Sequence, residues 1–333
     1  MTKIALIGCG KQAPKHIAGL RAAGASDILL FDLDAARAEA LATREKLAFT
    51  TDLDALFGDA SVDIVDIATP TPSHAPLIGR AIEAGKHFFC EKPLCGSLAE
   101  AQAIQAAARA RGVVGMVGYI YRFAPVFEAG YRLTPAAGAP LGRPVTAHFR
   151  IGGRGEHEVW KHTRASGGGA ANEMLVHMLD LAIWYFGAVR GVEVIANDLL
   201  RPVRTIGGRQ VEVDAQDFVL VRLDMEHCAS VYVQADLVTP AFNQYTEIQY
   251  ERGGFMGSIQ GDVSSYVFAT AAGGEFPAGR TALDNGDGNL FKHQMGALLA
   301  HVRRGEQPPR NSIDDSVKLM EAMNMLQQKG VGR

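Results

Sequence analysis

The chain has no apolar stretch that approaches the ~18 residues a membrane span needs, no basic tract, and no interleaving of aromatics with Arg or Lys. Its 33 Lys and Arg nearly balance 36 Asp and Glu, for a net charge of −3 with His neutral. That balance implies no polyanion partner, so nucleic acid is not expected. The four cysteines, Cys9, Cys90, Cys95 and Cys228, form no C-x-x-C pair and no zinc spacing with His, which points to reduced thiols and no metal site. The apolar run in MTKIALIGCGK is too short for a signal-peptide core and no cleavage site follows it. The expectation is a soluble, cytoplasmic protein with no membrane partner. Internal repeats and low-complexity linkers are also missing.

What is present is organised in two parts, as 333 residues suggest. Through about residue 120, short β-branched runs alternate with Ala-rich helical patterns. Strands are expected at Ile4–Ile7, Ile28–Phe31, Val62–Ala68, His87–Cys90 and Val113–Val117, with helices near 12–23, 34–46, 73–84 and 97–111. That rhythm argues a parallel sheet covered on both faces. From Val145 on, longer alternating stretches such as VTAHFRI, DFVLVRL and ASVYVQADL are joined by short turns, which argues a mostly antiparallel sheet. Two helical patterns close the chain, near 289–304 and 313–328. The expected fold is α/β: a dinucleotide-binding domain over 1–120 and a second α/β domain over 121–333.

GCGKQA, Gly8 to Ala13, follows the first strand and opens a helix. It fits G-x-G-x-x-G/A: Gly8 makes the turn, Gly10 lets backbone approach a pyrophosphate, and the helix N-terminus faces the phosphates. An acid ends the second strand, Asp32, 22 residues after Gly10. A carboxylate there accepts from both ribose hydroxyls and repels a 2′-phosphate, which favours NAD over NADP. Asp34, the competing acid, sits where the next helix would be capped.

NEMLVHMLD, residues 172–180, opens an otherwise apolar run. At about 100° per residue, Glu173, His177 and Asp180 fall at roughly 0°, 40° and −20° around a helix, on one face. Such a strip is common on a solvated helix, and Asp180 reads as an anchor for the helix. The preceding loop, from His157 through the triple glycine, carries Trp160, Lys161, His162 and Arg164. Its glycines leave backbone free to approach a ligand, and Trp160, Lys161 and His162 are candidate substrate contacts. These cationic and titratable groups keep a phosphorylated, carboxylated or nucleotide-linked ligand open.

CEKPL, residues 90–94, follows the strand His87–Cys90, at the carboxyl edge where ligands of open α/β sheets bind. Over essentially its whole length the chain resembles the glucose–fructose oxidoreductase/inositol dehydrogenase/MocA family. GCGKQAPKHIAGL matches the nucleotide loop, ATPTPSH (68–74) the segment after the following strand, and CEKPL the E-K-P signature. YRFAP (121–125) matches the domain junction, and GGGAANEMLVHMLD the G-G-G…D-x-x-x-H helix.

The resemblance implies a Rossmann domain and a second domain whose open sheet often forms the oligomer interface, and the sheet's alternating faces, only partly covered by the closing helices, predict a homodimer or homotetramer. It implies hydride transfer between NAD(P) and a secondary alcohol or ketone of a sugar, cyclitol or related small molecule. Lys92 and His177 take the chemistry, with Glu173 assisting. Beside Gly8, Gly10 and Asp32, cofactor contacts fall on Lys11, Gln12, Thr69, Pro70, His74, Glu91 and Lys92, and substrate contacts on Arg122, Glu173 and His177. Two positions depart from the pattern. Glu173 replaces an aspartate, lengthening the reach by one methylene, and Leu175 replaces a glycine, giving a bulkier floor and a substrate unlike that of inositol dehydrogenases. An NAD-using glycosidase or lyase with no net redox change is the alternative activity, and an NAD-binding regulator the non-catalytic one.

Overall fold

The computed structural model describes residues 2–155, 158–286 and 288–332; His157, where the expected substrate loop opens, lies outside them. The chain divides into two compact units, residues 1–123 with 289–320 and residues 124–288 with 321–333.

In the first unit, β1 (Lys3–Ile7), β2 (Ile28–Phe31), β3 (Ala48–Thr50), β4 (Val62–Ile67), β5 (His87–Cys90) and β6 (Gly115–Val117) form a sheet in the order β3-β2-β1-β4-β5-β6. Every pair in it is parallel. Strands such as IALI and HFFC are apolar almost throughout because helices cover both faces. Between them run α1 (Ala13–Ala22), α2 (Ala35–Glu45), α3 (Leu53–Gly58), α4 (His74–Glu83) and α5 (Leu98–Arg111). Local chemistry sets the ends. Asp34 caps α2 by accepting from Arg37 N–H, as its position suggested. Ser97 caps α5, and Glu100 closes the box by accepting from Ser97 Oγ–H and Gly96 N–H. Gly112, at φ 66°, stops α5.

In the second unit, α6 (Pro125–Tyr131) precedes β7 (Pro144–Gly152), and α7 (Val176–Phe186) follows a π-helical turn over Ala171–Leu175. Then come β8 (Val189–Asp198), β9 (Val203–Ile206), β10 (Arg209–Glu212), β11 (Phe218–Met225), β12 (Cys228–Asp236), β13 (Asn243–Tyr250), β14 (Gly253–Gly257), β15 (Tyr266–Ala269) and β16 (Gly279–Ala282). Eight strands pair in the order β16-β15-β14-β13-β7-β12-β11-β8. All of these pairs are antiparallel except β7 with β12. Helix α7 packs against β7 and β12, burying Val176, Met178, Leu179 and Leu181 against Phe149, Val231 and Val233. Each such side chain contributes about 1.5–3 kcal/mol of transfer free energy. The small β9–β10 hairpin is pinned by a buried pair, Arg204 Nη2 to Asp217 Oδ2 at 2.8 Å.

The closing helices are α8 (Leu290–Arg304) and α9 (Ile313–Gln328). Helix α8 belongs to the first unit, where Met295, Leu298 and Leu299 join the core built on β1 and α1. Its closeness to α1 requires Gly19, whose Cβ would stand 2.9 Å from the Phe291 backbone. The chain therefore returns to its first unit over 289–320, a stretch that the boundary drawn at 121–333 assigns to the second domain.

Candidate active site

At the carboxyl edge of the first sheet the glycine loop is shaped by what it touches. Gly8 has φ +101°, and a Cβ there would lie 2.7 Å from Ala68 O and 2.9 Å from Thr69 Cγ2. The loop therefore sits flush against the turn after β4, which only glycine permits. A Cβ on Gly10 would meet nothing within 4 Å, so the outer side of the loop is open, and Lys11 and Gln12 beside it are exposed. Asp32, at the tip of β2, is nearly buried. Cys9 N–H donates to its Oδ2 and Asp34 N–H to its Oδ1, both at 2.9 Å. An open glycine loop beside a held carboxylate is the donor and acceptor set a pyrophosphate and an adenosine ribose require, so these residues fit a dinucleotide.

The next two turns are stitched together by His74. It is buried, with Nε2 2.8 Å from Thr69 O and Nδ1 2.8 Å from Pro93 O. Burial pushes its pKa down, against the opposing pull of the two carbonyls. A neutral ring donates to one of these carbonyls and packs against the other, so it fills the space between the 69–74 turn and the Glu-Lys-Pro turn, while Pro70 lies exposed on the surface. The Lys92–Pro93 peptide is cis. Lys92 is half-buried, and its backbone N–H donates to Glu91 Oε2 at 3.2 Å.

Two charged side chains that sequence reasoning did not single out, His16 and Asp66, lie against this turn through Glu91. His16, on α1, is 0% exposed, with Nδ1 2.9 Å from Asp66 Oδ1 and 3.0 Å from Oδ2, and Nε2 3.0 Å from Glu91 Oε1. Burial pushes the ring's pKa down, but Asp66 and Glu91 outweigh it and raise it to about 10. The one signal in the sequence is Asp66 itself, an acid inside VDIVDI, where a strand buried on both faces should carry none.

Arg122, implied as a substrate contact, is placed otherwise. It is 1% exposed, and its Nη1 lies 3.2 Å from Asp315 Oδ2. Its charge braces the returning tail of the first unit.

In the second unit the helix carrying Glu173 and His177 is not α-helical throughout. Glu173 lies in the π-helical turn and His177 in the first turn of α7. The wheel that aligns them at 100° per residue therefore holds only for His177 and Asp180, because a π turn takes more residues per revolution. Glu173 is held by Lys161, Nζ to Oε2 at 2.5 Å, and the same ammonium lies 5.2 Å from the Trp160 ring centroid. His177 is half-buried and Asp180 buried. His162 is 2% exposed and its Nε2 bonds the Gly155 carbonyl, so it braces the loop from within. Leu175, expected as a bulkier floor, is 0% exposed and part of the core.

The triple glycine also serves the protein's own packing. A Cβ at Gly168 would stand 2.4 Å from the Lys161 carbonyl, and one at Gly169 3.0 Å from the Gln216 amide. Gly169 N–H donates to Lys161 O at 2.7 Å. The glycines thus let the Lys161 segment lie against the start of the π turn, which is what brings Lys161 to Glu173. Among the described residues no group of three or more His, Cys, Asp or Glu could hold a metal ion, and no helix is long and apolar enough to cross a membrane.

Comparison with known proteins agrees with this geometry. Residues 2–119 match the oxidoreductase family with an NAD-binding Rossmann fold, and residues 137–256 match the GFO/IDH/MocA C-terminal domain. The chain belongs to the Gfo/Idh/MocA oxidoreductase family. Its first unit is the family's NAD-binding Rossmann domain and its second the family's large mostly antiparallel sheet. It is 31% identical over 242 residues to an inositol 2-dehydrogenase of Acidothermus cellulolyticus, covering 71% of this chain and 66% of that protein. A levoglucosan dehydrogenase of Pseudarthrobacter phenanthrenivorans is 29% identical over 63% of this chain and 58% of its own length. The chain thus spans somewhat under two thirds of these two relatives. A solved levoglucosan dehydrogenase in complex with NADH and L-sorbose superposes with a TM-score of 0.87 at 20% identity, over 98% of this chain and 96% of that one, and shows the shared fold.

Proposed function

We propose that this family member is an NAD-dependent dehydrogenase acting reversibly on a secondary alcohol of a sugar or cyclitol. The observation that carries the reading is the first unit's edge: an open glycine loop, Asp32 held by two backbone N–H groups, and half-buried Lys92 on the turn after β5. Bound NAD supplies the hydride acceptor. Lys92 donates to the alcohol oxygen and stabilises the charge that develops there. A ring nitrogen of His177 takes the hydroxyl proton, a task suited to imidazole, which titrates near working pH. Glu173, paired with Lys161, aligns the substrate.

Inositol and levoglucosan dehydrogenases among the relatives support a sugar or cyclitol. The loop's cations support an uncharged one, because Lys161 is engaged by Glu173, and Arg164 Nε–H donates to Asp214 O at 2.7 Å. Asp32 supports NAD over NADP, since a 2′-phosphate would meet a carboxylate. The four cysteines are free and buried, which suits a cytoplasmic setting.

A panel of cyclitols, hexoses and anhydrosugars, followed by NADH absorbance, tests the reading. Turnover of an uncharged member with NAD preferred is the expected result. With that substrate, His177→Asn should lower turnover about 10²–10⁴-fold and Lys92→Met about 10²–10³-fold, with NAD affinity little changed. Aglycone release without NADH accumulation would instead identify a glycosidase or lyase, and near-wild-type turnover of His177→Asn would remove that residue from the chemistry.

A further inference from the structure

The carboxyl edge of the Rossmann unit contains a charged cluster, Asp66–His16–Glu91, that sits beneath the Glu-Lys-Pro turn. Both ring nitrogens of His16 point at carboxylate oxygens, Nδ1 at Asp66 and Nε2 at Glu91, at 2.9–3.0 Å. A carboxylate only accepts, so both contacts are hydrogen bonds only if both nitrogens carry a proton. His16 also lies edge-on to Phe89 with centroids 5.6 Å apart, and 5.5 Å from Phe291. Asp66 is buried and the Glu91 side chain is largely so, which favours a cation between them, and His16 is placed to be that cation.

Glu91 links the cluster to the Glu-Lys-Pro turn. Glu91 spends Oε1 on His16 and accepts the Lys92 backbone N–H with Oε2. Gly118 leaves room for that oxygen, since a Cβ there would come within 3.4 Å of it. We propose that His16 is a positioning residue for Lys92: bridging Asp66 and Glu91 as an imidazolium, it fixes the Glu91 carboxylate that holds the Lys92 backbone, and so sets where Lys92 presents its ammonium. The inference rests on the reading that Lys92 assists the reaction. His16 itself touches neither substrate nor reacting atoms.

Two measurements test it. The first needs no substrate: imidazole ¹⁵N spectra at about pH 8.5, roughly two units above the ordinary imidazole value, should show both His16 nitrogens protonated. A bare nitrogen there overturns the proposal. The second is a cycle of His16→Asn, Glu91→Gln and the double variant, assayed with whichever panel alcohol the wild type turns over fastest. A displacement of about 1 Å costs up to ~10²-fold, so His16→Asn should lower kcat about 10–100-fold. KM for the alcohol and Kd for NAD should stay within about threefold.

Because both residues act through one chain, the double variant should be no slower than the slower single one. In a Lys92→Met background His16→Asn should cost nothing further. Multiplying losses, an unchanged kcat in His16→Asn, or NAD affinity falling in step with kcat would each overturn it. If His16→Asn does not fold, His16→Gln carries the same kcat-against-Kd test. Failure of the underlying reading is separate: it is signalled by Lys92→Met keeping its turnover. Failure of this inference alone is signalled by a slow Lys92→Met beside a fast His16→Asn.

Discussion

At the scale of single residues, charge buried in the first unit makes stability depend on pH in a predictable direction. His16 has its pKa raised to about 10 in the folded chain, because Asp66 and Glu91 outweigh the burial that opposes its charge. In the unfolded chain it titrates near the ordinary value of about 6.5. A raised folded pKa means that the stabilisation is fully present below about pH 6.5 and is lost as pH climbs toward 10. Urea denaturation between about pH 7 and 10 should therefore show stability falling more steeply in the wild type than in His16→Asn. Equal slopes would mean that the ring is neutral in the folded state. This residue was hard to find by reading. Asp32 was legible because a strand–turn–helix grammar fixes its distance from Gly10, whereas His16 meets Asp66 and Glu91 at separations of 50 and 75 residues, which no periodicity encodes. Arg122, His162 and Leu175 show the converse: burial was not legible at these three positions. Sequence position suggested a place near the substrate, and all three side chains are buried in the structure.

At the scale of elements, long periodic segments were read to within a residue or two, and short ones were missed. Strand β3 has three residues, all at least partly exposed, and β14 is rich in glycine, so neither shows the alternation that marks a strand. The π turn was invisible for a different reason. ANEML has ordinary helical composition, and its flank meets the Lys161 loop, where Gly169 N–H donates to Lys161 O. That contact predicts what the middle glycine does. Gly168→Ala puts a Cβ 2.4 Å from a backbone carbonyl, a clash that no side-chain rotation relieves. The Lys161 segment must then move off the helix start and Lys161 off Glu173. Turnover should fall about 10-fold or more, as misplacement near a reacting centre does, with a lowered melting temperature. Gly167→Ala, whose Cβ would meet nothing within 4 Å, faces only the strain of φ +73°, about 1 kcal/mol, and should lose much less. Equal losses in the two variants would show that the loop–helix contact does not matter.

At the scale of the whole chain, composition and the change of rhythm near residue 120 made two units legible, but not the return of 289–320 to the first. An amphipathic helix advertises an apolar face without naming its partner, and α8 was free to be read with the sheet that precedes it in sequence. With α7 on one face of the eight-stranded sheet, the other face carries Phe218, Leu220, Tyr232, Tyr245, Met256 and Phe268, of which the first five are half-buried and Phe268 exposed. His148 stacks on Tyr232 there, centroids 4.9 Å apart, so part of this surface is rigid and aromatic, the composition that anchors interfaces. Such a face can serve as the same patch on both subunits of a two-fold interface. We therefore expect two or four chains per particle, each pair burying at least about 800 Å² per partner. Light scattering at about micromolar concentration should give a dimeric or tetrameric mass. Leu220→Asp should shift it toward a single chain without lowering NAD affinity, because the substitution lies in the second unit and the nucleotide loop in the first. A wild-type mass of one chain would leave the aromatic face without this role, and an unchanged mass in Leu220→Asp would move the interface elsewhere.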